Sequence, residues 1–184
     1  AFMKHFSDGH ANAYILVYRS GEKHLLQSIA NQYVYSNCDY FIYLDAKRNR
    51  YTMLNHSSLC APLPPTHCED YSSELIQYAR NFVVPEDQEM VIKEMKLSHV
   101  LEVLNRSEVH SFDCGVMEPV RGYTRKRLGY RFYDRPSQMI LLSQTDITDV
   151  YLATQKHLLA LQAALLRAQT DPLTGLLNYQ ATLD

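Results

Sequence analysis

The side chains with the most reactive chemistry in this 184-residue sequence are four cysteines and eight histidines. Cys60 and Cys68 share a proline-rich stretch with His56 and His67, a donor set suited to zinc. Structural zinc sites take paired ligands about two to four residues apart, whereas seven residues separate these two cysteines. Cys38, Cys60, Cys68 and Cys114 form no CxxC pair, and the histidines show no paired ligand spacing. The expectation is no metal site, with thiols reduced as in a cytoplasmic protein. No residue earns a catalytic role on type and spacing.

A more specific pattern closes the sequence. Residues 170–184 read TDPLTGLLNYQATLD. Pro172 and Gly175 alone are ordinary turn punctuation, but Asp171, Leu173, Thr174, Gly175, Leu176 and Asn178 together resemble the opening of a diguanylate cyclase (GGDEF) domain. That family's first helix begins D-x-L-T-G-L-x-N-R, and Tyr179 stands here in place of the arginine. The resemblance implies a parent protein that makes cyclic di-GMP from two GTP molecules with Mg. The catalytic motif and its metal-binding carboxylates would lie beyond Asp184. The sequence then reads as the input half of a switch, cut from a longer polypeptide and not itself an enzyme.

Residues 151–169 must carry that signal. They contain no Gly or Pro and are rich in Leu, Ala and Gln, good helix formers. Tyr151, Thr154, Leu158, Leu161, Leu165 and Ala168 step by 3, 4, 3, 4 and 3, the a/d seam of a parallel coiled coil. Leu152, Leu159 and Leu166 repeat every seven residues and widen the apolar stripe. The expectation is a homodimer, with one strip on the partner helix and the other on the protein's own sheet. A coil of two heptads is marginal alone, which suits a switch biased by small forces.

Upstream, the elements follow from periodicity. Residues 13–20 form one strand within an N-terminal segment, 1–20, that could close a preceding domain. Residues 21–36 make an amphipathic connector helix, with Leu25, Leu26, Ile29, Ala30 and Tyr33 at three- and four-residue steps. Two aromatic and β-branched runs, 40–44 and 50–54, flank a polar turn and predict a hairpin. Residues 57–70, with three prolines, form a loop. Asp70 or Ser72 then caps a helix whose apolar face is Leu75, Ile76, Ala79 and Phe82. Pro85 opens a further helix carrying Met90, Val91 and Met95, with Glu86 and Asp87 at its positive end. Leu97, Val100, Leu101 and Leu104 share one side of the next, 97–105.

Strands return at 110–117, where Phe112, Cys114 and Val116 alternate with Ser111 and Asp113. Residues 122–133 set Leu128, Tyr130 and Phe132 against Arg125, Arg127 and Arg131, and 138–144 is nearly all apolar. The fold class is α+β: a five-stranded antiparallel sheet with short helices on one face, flanked by the connector helix and the C-terminal signalling helix.

This order resembles a PAS domain, over about residues 29–150 and with the domain itself at 37–149. Asp146, Ile147, Thr148 and Asp149 are similar to the D-I-T-[DE] exit motif that hands the last PAS strand to an output helix, here 150–169. Asp146 can cap that helix, and Asp149 can reach back as its box partner. Val84-Pro85-Glu86-Asp87 resembles the H-P-E-D stretch of many PAS domains, with Val for His. The resemblance implies a ligand pocket between the sheet and the short helices, lined by Met95, Leu101, Phe112, Cys114, Leu128 and Tyr130. Plain core packing is the alternative for each.

A flavin photosensor of that family would need a reactive Cys in an N-C-R-F-L-Q-type helix, which Asn37-Cys38-Asp39-Tyr40 is not. A haem sensor would need an axial histidine on a pocket helix. His99 has that placement, but its apolar neighbours favour a core or surface role. No cofactor is therefore expected in these residues.

Composition bounds the partners. Lys plus Arg number 18 against 20 Asp plus Glu, a net charge of -2, with no basis for a nucleic-acid or anionic-membrane surface. No run approaches the length of a membrane span. The partners expected are a second copy of the chain and an unidentified small-molecule signal. The readings kept open are a ligand-responsive sensor of a cyclase, a ligand-free dimerisation scaffold, and the sensor of another enzyme such as a histidine kinase. A kinase needs a phosphoacceptor box after the output helix, and His157 lies too early for one.

Overall fold

A computed structural model describes residues 2–7, 12–17, 38–56 and 63–169. Expectations for the connector helix, Cys60 and the C-terminal motif fall outside these residues. Two short strands come first. β1 (Phe2–Ser7) pairs antiparallel with β2 (Asn12–Val17) in a sheet of their own. The sequence predicts only the second of these; β1 carries lysine and histidine among its aromatics, which hides its strand character.

The main sheet contains β3 (Tyr40–Asp45), β4 (Arg50–His56), β5 (His67–Cys68), β6 (His110–Glu118), β7 (Gly122–Asp134) and β8 (Met139–Asp146). Its order is β5-β4-β3-β8-β7-β6, antiparallel throughout. The first hairpin thus joins the last three strands through β3 and β8, with Tyr40 opposite Gln144. Six strands replace the expected five. The added one, β5, lies in the proline-rich stretch predicted as loop. It pairs only Cys68 with Tyr51 and His67 with Thr52, too short to leave a periodic signal.

Four helices among the described residues follow from local chemistry. Asp70 caps α1 (Tyr71–Phe82) by accepting the Ser73 N–H. Asn49, in a left-handed conformation at the β3–β4 turn, accepts from the Ser72 N–H and donates to Asp70, so the turn is tied to the helix start. The inner face of α1 is Tyr71, Leu75, Tyr78 and Ala79, while Ile76 is exposed. The two tyrosines displace Ile76 from the expected face because their hydroxyls find buried partners.

A 3-10 turn, Pro85–Asp87, leads into α2 (Gln88–Met95), and a break at Lys96 separates this from α3 (Leu97–Arg106). Their buried residues Val91, Met95, Val100 and Leu104 join Ile42, Leu44, Cys114, Val116, Leu128, Tyr130, Ile140 and Leu142 of the sheet in one core. α4 (Thr148–Gln169) leaves from the end of β8.

Candidate functional site

The most unusual group in the structure is a buried ammonium at the root of α4. Lys126 sits on β7 at the parity of Leu128 and Tyr130, and so points inward from the strand. Its side chain is 1% exposed. Three carboxylates surround its Nζ: Glu118 Oε1 at 2.7 Å, Asp39 Oδ2 at 2.8 Å and Asp146 Oδ2 at 3.1 Å. Arg121 adds a second cation, 2.7 Å from Asp146 Oδ2. Burial alone would lower the Lys126 pKa, but its hydrogen bonds to Asp39 and Glu118 raise it above the ordinary lysine value.

This cluster is continuous with two other parts of the molecule. Toward α4, the Asp146 carboxylate accepts from both the backbone N–H and the hydroxyl of Thr148, the first residue of the helix. The Thr148 hydroxyl oxygen in turn accepts the Arg125 N–H at 2.9 Å, and the Ile147 N–H donates to the Arg125 carbonyl. The Arg125 guanidinium pairs with Asp87 at 2.8 Å and lies 5.4 Å from the centre of the Tyr151 ring. Ile147, Thr148 and Asp146 are therefore held by β7. Asp149 faces solvent; among the described residues no hydrogen bond brings it back as a box partner.

Toward the helices, Gln144 of β8 carries the chain of contacts onward. Its Oε1 accepts from the Tyr40 hydroxyl at 2.9 Å and the Tyr78 hydroxyl at 3.2 Å, while its amide nitrogen reaches Asp39 at 3.4 Å. Beside it, Tyr71 donates to the Met95 carbonyl at 2.8 Å and its oxygen lies 2.9 Å from that of Tyr130. An unbroken polar path thus runs from α1, through Gln144, Asp39 and Lys126, to the start of α4.

Acid should weaken this path. Burial would raise the Asp146 pKa, but hydrogen bonds from Thr148, Lys126 and Arg121 outweigh it and hold the carboxyl far below the usual range. In the unfolded chain Asp titrates near about 3.9. The stabilisation is therefore complete above that pH and is lost as pH falls from about 4 toward the depressed folded value. Urea midpoints measured from pH 6 down to 3 should drop below about pH 4, and more steeply than in Asp146→Asn. Equal slopes in the two proteins would place the acid sensitivity elsewhere.

The cleft between α1 and the sheet is nearly filled. Residues that include Tyr40, Ile42, Tyr51, Tyr71, Leu75, Tyr78, Met95 and Leu142 border an open-mouthed space of about 20 Å³, room for a single water. The buried Tyr51 hydroxyl at its edge has no hydrogen-bond partner among the described residues. Of the lining predicted from sequence, only Met95 borders this cleft. Cys114, Leu128 and Tyr130 are fully enclosed core, and Leu101 and Phe112 pack against that core. Burial pushes the Cys114 thiol up to about 12, so it is no nucleophile at neutral pH.

Beyond Tyr151, α4 runs free of the sheet. Leu158, Leu161 and Leu165 of the predicted seam are 47%, 53% and 60% exposed, and Leu152, Leu159 and Leu166 are more than half exposed. The expectation that one strip packs on the sheet is corrected: residues 152–167 are all exposed. No described helix is long and apolar enough to cross a membrane. His67 and Cys68 are consecutive on β5 and so project to opposite faces. The Thr52 hydroxyl lies 3.3 Å from His67 Nδ1.

No protein-family model and no curated protein matches the sequence. Among solved structures, a sensory box histidine kinase/response regulator from Burkholderia thailandensis E264 is similar, with 12% identity and a TM-score of 0.48 over 77% of this chain and 98% of that one. So distant a likeness carries no function across.

Proposed function

We propose that this chain is a PAS-type regulatory module that dimerises through α4 and passes a change in helix orientation to a diguanylate cyclase domain beginning at about residue 170. The observation that carries this reading is the root of α4: a helix whose Leu158, Leu161 and Leu165 are exposed, fixed to the sheet by a buried ion cluster and followed directly by Asp171, Leu173, Thr174, Gly175, Leu176 and Asn178. A rigid root matters because cyclic di-GMP synthesis needs two GTP-loaded, Mg-dependent domains to face each other. Rotating two rooted helices about a shared seam changes that facing without any contact to substrate. These residues would regulate, and the catalytic groups would belong to the parent protein, in the cytoplasm.

The small volume of the cleft favours a specific version of this reading, a module whose interior holds no small molecule and which relays motion from another part of the parent. Tyr71 and Tyr78 line that cleft with phenol rings. Native mass spectrometry of the purified chain, beside a denaturing run of the same sample, tests both statements. The expected result is a dimer at twice the chain mass with nothing added. A dimer with an added organic mass would replace the scaffold by a ligand sensor, and a monomer at micromolar concentration would remove the dimer reading.

A further inference from the structure

We infer that Glu94, His99 and His110 form a site for a divalent transition-metal ion of the zinc class. Glu94 lies in the last turn of α2, His99 in the first turn of α3 just past the break at Lys96, and His110 is the first residue of β6. The break turns α3 so that its first turn faces the end of α2, and β6 brings the third donor beneath both. One ligand atom from each residue lies within 4.8 Å of the other two. Glu94 Oε2 is 3.3 Å from His99 Nε2 and 3.6 Å from His110 Nε2.

Those separations suit coordination. Ligands at about 2.0–2.1 Å from a tetrahedral zinc lie roughly 3.4 Å from one another. Two imidazoles and one carboxylate make a set that takes Zn(II) and neighbouring Ni(II) or Cu(II), with no thiolate to favour softer ions. A fourth position would be left to water, as is usual with three protein ligands.

The surroundings fix the donors. His110 is 6% exposed, stacked on the Tyr130 ring at 5.7 Å and edge-on to the His99 ring at 5.5 Å. The Glu94 and His99 side chains, 22% and 28% exposed, leave a path from solvent. His110 Nε2 lies 2.9 Å from the Glu94 carbonyl oxygen, where as an N–H it donates. Coordination through Nε2 would replace that hydrogen bond with a bond to the metal, the displaced proton passing to Nδ1 or to solvent. The ion would clamp the α2–α3 junction to β6. The inference stands on these three residues and is independent of the cyclase reading.

Titration of the 184-residue chain with Zn2+ by calorimetry, and with Co2+ by its visible absorption, tests it. One equivalent should bind, with the Co2+ spectrum of a four- or five-coordinate nitrogen–oxygen site, and the thermal midpoint should rise with metal concentration. His99→Ala and Glu94→Gln should each weaken binding by about 10- to 100-fold or more, while His67→Ala leaves it unchanged. His110→Ala is avoided because it would leave a hole in the core. Undiminished affinity in His99→Ala and Glu94→Gln, loss in His67→Ala instead, or no binding at all would each overturn the site.

Discussion

Lys126→Met should destabilise the domain by about 3–5 kcal/mol, the cost of removing one partner from a buried ion pair. Against a total stability of about 5–15 kcal/mol for a domain, that loss should leave part of the protein unfolded at 37 °C. The physical reason lies with the groups left behind. Glu118 is 3% exposed at its side chain and Asp39 14%, so neither carboxylate can recover full hydration. Arg121 is 46% exposed and reaches Glu118 only at 3.7 Å, too long and too wet to replace the ammonium. Urea unfolding of the single variant, of Glu118→Gln and of the double variant gives the cycle that measures this. The double variant should be more stable than Lys126→Met alone, because it no longer buries an unpaired Glu118 charge. A loss under about 1 kcal/mol in Lys126→Met would mean the cluster is solvated and cannot root α4.

Much of the frame that positions this lysine is legible in the sequence, and the reasons are local. Alternation in β6 and β7, the apolar run of β8, the cap at Asp70 and the proline at Pro85 each announce an element within a few residues. The cluster itself is harder to read. Parity along β7 places Lys126 inward with Leu128 and Tyr130, yet lysine is almost never fully buried unless paired. Its partners Asp39, Glu118 and Asp146 belong to segments that meet only when β3 pairs with β8, β8 with β7 and β7 with β6. The same holds for Glu94, His99 and His110. Spacings of five and eleven residues mean nothing until a helix break and a strand bring them together.

The pocket is hard to read for the opposite reason. Inward residues of β6 and β7 fit a lining and a core equally, because both select the same apolar side chains. What separates them is the far wall, and here α1 supplies tyrosines rather than small residues. Tyr71 and Tyr78 sit three or four residues from Leu75 and look like part of an ordinary amphipathic face. Only the hydroxyl partners Met95, Tyr130 and Gln144, each distant in sequence, make them fillers of the cleft.

Leu158→Asp combined with Leu165→Asp should convert a dimer to a monomer without unfolding the domain. Both side chains are about half exposed or more in the single chain, so the monomer loses no packing when they change. In a seam, each substitution would remove a leucine worth about 2–5 kcal/mol, twice over by symmetry, and set like charges facing each other. The dissociation constant should therefore rise by more than about a thousandfold. Sedimentation velocity across a concentration series gives the stoichiometry, and a urea transition on the same samples reports the fold. A persisting dimer would move the contact to the outer sheet face, where Phe41, Tyr43, Leu54, Tyr133 and Leu141 border an open groove of about 400 Å³. The two outcomes imply different switches. A seam on α4 transmits rotation of the helix itself, whereas a sheet-to-sheet dimer would leave residues 152–167 exposed and fix only their roots, so that the ion cluster at Lys126 would set the angle between the two helices.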